Sequence, residues 1–276
     1  MVRGQYIAGT GMLLQRRLME NITNNITNAD TSGYKKEHLV SHSFDEVLIK
    51  RYNDPAVVSQ TTVPQHIHIT DFPHATGGMP VIYKDGTPVG PLHLGTQIDQ
   101  LYINFEQGAF DGTERTTDLA VAGDAFFVMQ TLEGERYTRA GAFYLDDTGF
   151  LVDGEGNYLL GENGPLNVGT LSFNVDLNGG IWIGEEYLDT IRMASFTDNN
   201  TLRKQGSNLF FSMEEPEAVT KPYQIRQGFL ETSNVDIGRE MVDMLMVYRT
   251  YETNQRMLSM VDETVGKAVN EIGRLR

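Results

Sequence analysis

Residues 241–272, MVDMLMVYRTYETNQRMLSMVDETVGKAVNEI, decide the fold that we predict for this chain. Apolar side chains return at every seventh position over four heptads, and 235–275 contains no proline. A seven-residue apolar repeat is typical of a helix that packs lengthwise on another helix. The predicted seam is Met244, Tyr251, Leu258, Val265 and Ile272, with companion positions at Met241, Tyr248, Gln255, Asp262 and Val269.

This C-terminal helix also has a predicted start. Ser233 or Asn234 is a candidate N-cap, because both side chains can accept a hydrogen bond from the first turn. Asp236 and Glu240 follow, where the positive end of the helix dipole favours negative charge. The sequence therefore predicts a helix from about residue 235.

A second amphipathic helix is predicted over residues 3–29. Its apolar residues recur at three- to four-residue steps and are Ile7, Leu14, Leu18, Ile22 and Ile26. The helix is expected to stop at Asp30–Gly33, where the chain offers turn residues and a glycine that tolerates positive φ. A lone helix of this length is marginal in water, so we expect the two helices to pair with each other and with copies of the chain.

Four asparagines in NITNNITNADTSGYKKE (21–37) lie on one face of the front helix. Asn21, Asn24, Asn25 and Asn28 fall at i, i+3, i+4 and i+7. Two Asn-x-Thr triplets are formal glycosylation sites, and a row of amides can simply be a solvated face. The preferred interpretation is that the amides hydrogen-bond across helices and set their register, as a buried Asn does in coiled coils.

The middle of the chain is predicted to be β. Short β-rich runs alternate with the turn sequences DDTG and DGEGN, and FNVDLNGGIWIG (173–184) reads as a hairpin around Asn178-Gly179. Residues 50–97 are rich in proline and glycine and are predicted to be an irregular arm. The predicted fold class is α+β. It comprises a coiled-coil domain of terminal helices (1–34 with 233–276), an extended arm (35–97) and a central all-β domain (98–232).

Composition limits the partners. The formal net charge is -15 and the pI is about 4.8, so the chain repels a phosphate backbone and nucleic acid is not an expected partner. There is no cysteine, which excludes disulfides, thiolate metal sites and a cysteine nucleophile. No apolar run approaches 18 residues and the N-terminus lacks a signal-peptide core, so neither membrane insertion nor a cleaved signal is expected.

Catalytic and metal patterns are weak. His66 and His68, with Asp71 and His74, could form a zinc site, but no second cluster of ligands accompanies them and the preferred interpretation is the polar face of a surface arm. The carboxylates of 146–155 do not match the calcium-loop spacing and are explained by turns. The sequence has no nucleophile elbow and no phosphate loop. We therefore expect no cofactor, no metal and no catalytic residue.

Three motifs carry a family resemblance. Near the front, Asn24-Asn25-Ile26-Thr27-Asn28 is followed by Thr31-Ser32-Gly33-Tyr34-Lys35. In the middle stand QGAFDGTERTTDLAVAGDAFFVM (107–129) and YTRAGAFYLDDTGFLVDGEGNYLLG (137–161), and at the back GFLETSNVDIGREMVDMLMVYRTYETNQRML (228–258). Together they resemble the bacterial flagellar rod and hook family, most closely its distal-rod type. Thr27, Ala125 and Ala140 depart from the family pattern.

The resemblance implies a non-enzymatic axial protein of the flagellar basal body. Such a protein is exported unfolded by the flagellar type III apparatus, without a cleaved signal, and polymerises helically outside the cytoplasm. Its partners are copies of itself and the neighbouring rod and hook proteins. A proximal-rod or hook-type member, or a secreted acidic β-domain binding protein or enzyme, is the alternative.

The predicted assembly interface lies on both helices. It comprises Leu14, Leu18, Asn21, Ile22, Asn24, Asn25, Ile26 and Asn28 on the front helix, and Met241, Met244, Tyr248, Tyr251, Leu258, Val265 and Ile272 on the back helix.

Overall fold

A computed structural model describes residues 2–43, 47–51, 87–92, 95–206, 208–213, 216 and 222–273. The chain is α+β, with a helix at each end and strands between them. Helix α1 is Val2–Thr27 and helix α2 is Ile237–Gly273, and a short 3-10 helix spans Asn199–Thr201. Among the helices described, none is both long and apolar enough to span a membrane.

The described strands, in chain order from β1 to β20, are Glu37–Ser43, Val47–Arg51, Thr87–Leu92, Thr96–Ile103, Phe110–Gly112, Leu119–Ala122, Phe126–Thr131, Gly134–Thr138, Tyr144–Leu145, Leu151–Val152, Tyr158–Gly161, Gly164–Pro165, Asn174–Val175, Gly180–Ile183, Glu186–Thr190, Met193–Ala194, Arg203–Gln205, Leu209–Phe211, Gln224–Gln227 and Phe229–Glu231.

The largest sheet has nine strands in the order β17-β18-β8-β7-β11-β10-β9, with β12 added to β11 and β16 to β7. A three-stranded sheet, β13-β14-β15, contains the hairpin that we predicted around Asn178-Gly179. Two antiparallel pairs, β6 with β19 and β5 with β20, bring the segment that precedes α2 back onto the start of the β domain. The C-terminal helix is therefore anchored to this domain.

Strand β7 lies at the centre of the core. Its side chains alternate between two apolar clusters: Phe127 and Met129 belong to one, and Phe126 and Val128 to the other. Because both faces of the strand are covered, its sequence is continuously apolar rather than alternating. Each fully buried Phe or Met contributes roughly 1.5–3 kcal/mol, so the β domain has a substantial core.

Three hairpin turns share one construction. In each, an aspartate Oδ1 accepts the backbone N–H groups two and four residues later, at 2.8 or 2.9 Å. The aspartates are Asp146, Asp153 and Asp176, and the glycine three residues after each has a positive φ of 89°, 85° or 91°. The acidic residues near 146–155 thus serve their own turns. No group of three or more potential metal ligands occurs among the described residues.

The prediction that segment 35–97 is irregular is wrong where the structure describes that segment. β1 pairs antiparallel with β4, and β2 pairs with β3, so the two ends of segment 35–97 form β ladders. The proline-rich composition concealed them, because Pro88 and Pro91 both lie within the short strand β3, and proline is usually confined to sheet edges. The histidine pattern at 66–74 lies outside the described residues.

The cap of α2 also differs from the prediction. Asp236 is the residue whose Oδ1 accepts the Arg239 N–H, at 3.2 Å. Ser233 and Asn234 precede the cap, and Asn234 is used elsewhere. Helix α1 ends at Thr27, two residues before the predicted limit at 29, and Gly33 has the expected positive φ of +68°.

Candidate functional site: the junction of the terminal helices and the β domain

The two terminal helices pack antiparallel in a constant register. A methyl group added to Gly4 would lie 3.8 Å from Val261, and one added to Gly11 would lie 2.9 Å from Asn254. Farther along, Asn25 of α1 hydrogen-bonds to Glu240 of α2. A step of seven residues along α1 is therefore matched by a step of seven back along α2.

Two lines of residues form the side of α2 that faces α1, which we call the α1-facing stripe. One of these lines is the predicted seam. Met244, Tyr251, Leu258 and Val265 are half-buried, and Ile272 lies in the last turn of the helix. The second line consists of Glu240, Val247, Asn254, Val261 and Ala268.

In the described part of α2, the predicted companion line, which contains Met241 and Tyr248, lies mostly away from α1, but Asp262 Oδ1 accepts a hydrogen bond from Gln5 Nε2 of α1 at 2.5 Å. All five of its members are exposed. A heptad seam can take its second line three residues before or three residues after the first. The contact of Glu240 with Asn25 places the second line three residues after the first.

The predicted residues of α1 divide between buried and exposed positions. Leu14 and Ile22 are buried, and Leu18 and Ile26 are half-buried. Asn24 is exposed, and its Oδ1 accepts a hydrogen bond from Asn28, which lies just beyond the helix. The four asparagines are therefore not equivalent: Asn21 and Asn28 are half-buried, and only Asn25 is fully buried.

Asn25 is the polar centre of the junction. Its Nδ2 donates to the Glu37 carbonyl at 2.9 Å and to Glu240 Oε2 at 3.2 Å. Its Oδ1 accepts from the Tyr34 hydroxyl at 3.0 Å and from the Glu37 N–H at 3.1 Å. All four hydrogen-bonding positions of the amide are used, so its hydrogen bonds offset the desolvation penalty of burying it.

A buried ion cluster lies beside this centre. Lys35 Nζ is 2.6 Å from Glu231 Oε1, and Arg139 Nη1 is 3.6 Å from Glu231 Oε2. Glu231 is fully buried and also accepts the Gly108 N–H at 2.9 Å. Burial lowers the pKa of Lys35 and of Arg139, and the Glu231 carboxylate opposes that shift in both.

The cluster joins three distant parts of the chain. Lys35 is the last residue of the front motif, Arg139 belongs to the middle motif, and Glu231 to the back motif. Arg139 also stacks over the Phe126 ring, 4.7 Å from its centroid, which connects the cluster to the hydrophobic core. The residues that carry the sequence resemblance are therefore those that meet in space.

Further pairs extend the junction along β1. Lys36 Nζ pairs with Glu240, and the Lys36 N–H donates to Asn234 Oδ1 at 2.8 Å. Lys204 pairs with Glu37 at 2.7 Å and lies over the Tyr34 ring, 4.2 Å from its centroid. Each of these contacts ties the start of β1 to α2 or to the β domain.

Gly33 closes the junction sterically. Its N–H donates to the Glu231 carbonyl at 2.8 Å. A Cβ at this position would lie 2.5 Å from the Arg139 carbonyl carbon and closer still to the Ala140 nitrogen. Glycine is required here twice, once for the positive φ and once for the close approach of two backbones.

The arrangement is that of a joint. Its charged groups pair with one another, although Arg139 Nε has no hydrogen-bond partner among the described residues, and these contacts hold three segments of the chain together. Sequence reasoning named Asn25 among the interface residues but missed Lys35, Arg139, Glu231 and Glu240. The motifs could have indicated these four residues, because each residue lies within one of the three motifs that carry the family resemblance.

Comparison with protein-family models identifies the three segments that meet at the junction. Residues 6–35 match the family model described as flagella basal body rod protein. Residues 120–192 match the flagellar hook protein FlgE/F/G D1 domain, and 226–271 match the flagellar basal body rod FlgEFG protein C-terminal region. The three matched regions include the residues of the ion cluster.

Full-length relatives give the same result. The chain is 30% identical to the flagellar basal-body rod protein FlgG of Bacillus subtilis, over 98% of this chain and 99% of the relative. It is 27% identical to the flagellar hook-basal body complex protein FlhO of Bacillus subtilis, over 100% of both chains. It is 28% identical to the flagellar basal-body rod protein FlgF of Caulobacter vibrioides, over 98% of both. The chain belongs to the flagellar basal-body rod family, and is a structural, non-enzymatic component of the flagellar basal body.

Proposed function

We propose that this protein polymerises helically through its terminal helices into a rod that transmits torque from the flagellar motor to the hook. The observation that carries the proposal is the surface of α2. In a chain whose β domain has a closed core, α2 leaves Met241, Leu245, Met246 and Tyr248 more than half exposed. Contiguous exposed apolar side chains on a long helix are expected where another helix docks.

The junction supports the mechanical part of this role. A rod under torque needs a fixed angle between the helices that make the polymer and the domain outside them. The Lys35–Glu231 pair is fully buried, and such a pair is strongly destabilising to break from one side. The joint therefore holds that angle more rigidly than surface contacts would.

The heptad-matched pairing of α1 and α2 supports a coiled-coil domain within each subunit. The register is shown by Gly4 with Val261 and by Gly11 with Asn254. Gly11 leaves room for the side-chain amide of Asn254, whose Nδ2 would lie 2.9 Å from an added Cβ. Supercoiling of the pair is the expected consequence of a repeat of 3.5 residues per turn.

Assembly outside the cytoplasm, after export by the flagellar type III apparatus, completes the proposal. The absence of cysteine supports it, because no disulfide has to be reduced before the chain is unfolded for export. Neighbouring rod and hook proteins are the proposed contacts at the two ends of the polymer.

A single substitution tests the polymer. Leu258→Asp places a charge between α1 and α2, at a half-buried position remote from the β domain. We expect loss of polymer in sedimentation and electron microscopy, with near-ultraviolet circular dichroism of the β domain unchanged. Asn270→Asp adds the same charge at an exposed position and should polymerise normally. Normal polymer and normal motility with Leu258→Asp would contradict the proposal.

A further inference from the structure

Helix α2 carries a group of methionines that its contact with α1 leaves uncovered. We call them the α2 methionines, and each is at least half exposed: Met241, Met246, Met257 and Met260. The last three lie within about 60° of one another around the helix, because each turn takes about 3.6 residues. Met241 lies on another flank, near the start of α2. Small solutes can therefore reach all four side chains in the free subunit.

Thioethers are the principal targets for a peroxide in this chain. The sequence contains no cysteine, so no thiol competes for the oxidant, and it contains 12 methionines. Burial separates these methionines into classes. Met129 of β7 is fully buried in the core, whereas Met213, in the β domain, is 90% exposed. We therefore expect the α2 methionines and Met213 to react with peroxide while Met129 stays reduced.

The reaction is the transfer of one oxygen atom from hydrogen peroxide to sulfur. A lone pair of the methionine sulfur forms the new S–O bond, the O–O bond of the peroxide breaks, and the second oxygen leaves as water with both protons. The sulfur is oxidised and the peroxide is reduced by the same pair of electrons, so no further reactant is needed. The product, methionine sulfoxide, is polar, and methionine sulfoxide reductases convert it back to methionine.

Oxidation changes the surface that α2 presents to an apolar partner. The α2 methionines share the helix with other exposed apolar side chains, which include Val242 and Leu245. A thioether is apolar and adaptable, whereas the S–O bond of a sulfoxide is polar and binds water. Removing that water costs free energy unless a new hydrogen bond replaces it. Sulfoxides at these positions therefore oppose the docking of α2 on an apolar surface.

We propose that the α2 methionines are an oxidation site of the free subunit, and that their conversion to sulfoxides blocks polymerisation until the sulfoxides are reduced. The inference rests on the proposed function, because polymerisation is the process that oxidation regulates. The β domain keeps its fold throughout, since Met129 is shielded in its core. Peroxide thus controls whether a folded subunit can assemble.

The experiment treats the full-length chain with hydrogen peroxide, removes the excess with catalase, and divides the sample between peptide mass spectrometry and sedimentation. We expect one added oxygen on each α2 methionine and on Met213, and none on Met129. The protein concentration needed for polymer should rise about tenfold or more, while near-ultraviolet circular dichroism of the β domain stays unchanged. Treatment of the oxidised chain with methionine sulfoxide reductases for both sulfoxide epimers should restore the original concentration.

Two variants locate the effect on α2. One carries Met241→Leu, Met246→Leu, Met257→Leu and Met260→Leu, which replaces each thioether with an apolar group of similar volume. Peroxide should not change the concentration at which this variant polymerises, whatever its starting value. The matched control, Met213→Leu, removes an exposed methionine outside α2 and should remain as sensitive to peroxide as the unmodified chain.

Oxidation of Met213 without oxidation of the α2 methionines would overturn the inference. So would unchanged polymerisation of the oxidised chain, a loss of polymer that the reductases do not reverse, or equal sensitivity in the variant that carries four leucines. Each of these results leaves the proposed function intact. If the four-leucine variant does not polymerise, recovery of the unmodified chain after reduction still decides the question. Failure of the unmodified chain to polymerise would remove both the inference and the proposed function.

Discussion

Asn25 of α1 and Glu240 of α2 are 215 residues apart in the sequence and share a buried hydrogen bond of 3.2 Å. The pair fixes the register of the two helices and attaches that register to β1, because Asn25 is also bonded to Glu37 through two backbone contacts. Helix pairing and domain orientation thus depend on one side chain.

Asn25→Asp should destabilise the monomer strongly. The change removes both Nδ2 donors and places a carboxylate against Glu240, so we expect the free energy of unfolding to fall by roughly 3 kcal/mol. Urea unfolding followed by circular dichroism measures it. Asn24→Asp makes the same chemical change at the neighbouring exposed residue and should cost less than about 0.5 kcal/mol. Equal losses in the two variants would show that the junction does not depend on Asn25.

Glu231→Gln tests the ion cluster. The neutral amide leaves Lys35 and Arg139 buried without their anion, and breaking a buried pair from one side costs about 3–5 kcal/mol. Glu263→Gln breaks the exposed pair with Lys267 and should cost between about 0 and 1 kcal/mol. Chemical denaturation of both variants gives the comparison. A loss below about 1 kcal/mol for Glu231→Gln would contradict the role assigned to the cluster.

Comparing Gly33→Ala with Gly184→Ala separates the cost of steric overlap from the cost of a left-handed backbone. Gly33 and Gly184 have nearly equal φ, +68° and +64°, but nothing lies within 4 Å of a Cβ added at Gly184. Gly184→Ala should therefore cost only the left-handed backbone term, about 1–2 kcal/mol. Gly33→Ala adds the overlap with Arg139 and Ala140 and should lower the melting temperature much further. Matching melting temperatures would mean that the two backbones can separate freely.

Tyr34 predicts an alkaline loss of stability. Burial, with the nearby Glu37 and Glu240 carboxylates, raises the pKa of its hydroxyl well above the ordinary value of 10.0. The unfolded state therefore releases this proton first. The stabilisation is complete below about pH 10 and declines as pH rises further, by up to about 1.4 kcal/mol per pH unit for one proton.

Denaturant unfolding at several pH values from about 9 to about 11, on both sides of the ordinary tyrosine pKa of about 10, measures this decline. Tyr34→Phe should flatten the decline while losing the hydrogen bond to Asn25. Tyr102→Phe, at an exposed position, is the control and should keep the slope of the unmodified chain. An unchanged slope in Tyr34→Phe would assign the alkaline loss to other groups.

The sequence predicted the features that depend on local periodicity. Both helices, the stop at Gly33 and the hairpin turns follow from spacing and turn chemistry that neighbouring residues determine. The α1-facing line of Met244, Tyr251, Leu258 and Val265 was also predictable, since a heptad repeat identifies its own members.

The remaining features depend on contacts between distant residues. Val247 and Asn254 occupy the companion line because Glu240 bonds to Asn25, which no local pattern of α2 reveals. Asn234 resembles a helix cap in sequence, but the N–H of Lys36 engages its side chain, so Asp236 caps the helix instead. Lys35, Arg139 and Glu231 become a cluster only after three segments meet.

The composition of that cluster also sets an order of events. Its members come from positions 35, 139 and 231, and the adjoining pair needs Glu240. A chain that emerges N-terminus first, from a ribosome or from a narrow pore, cannot complete the joint until Glu240, at position 240 of 276, has appeared. Closing so long a loop is slow. Until then Asn25 and Lys35 have no partners on the C-terminal side. The joint is therefore completed only when the segment that contains Glu231 and Glu240 joins the rest of the chain.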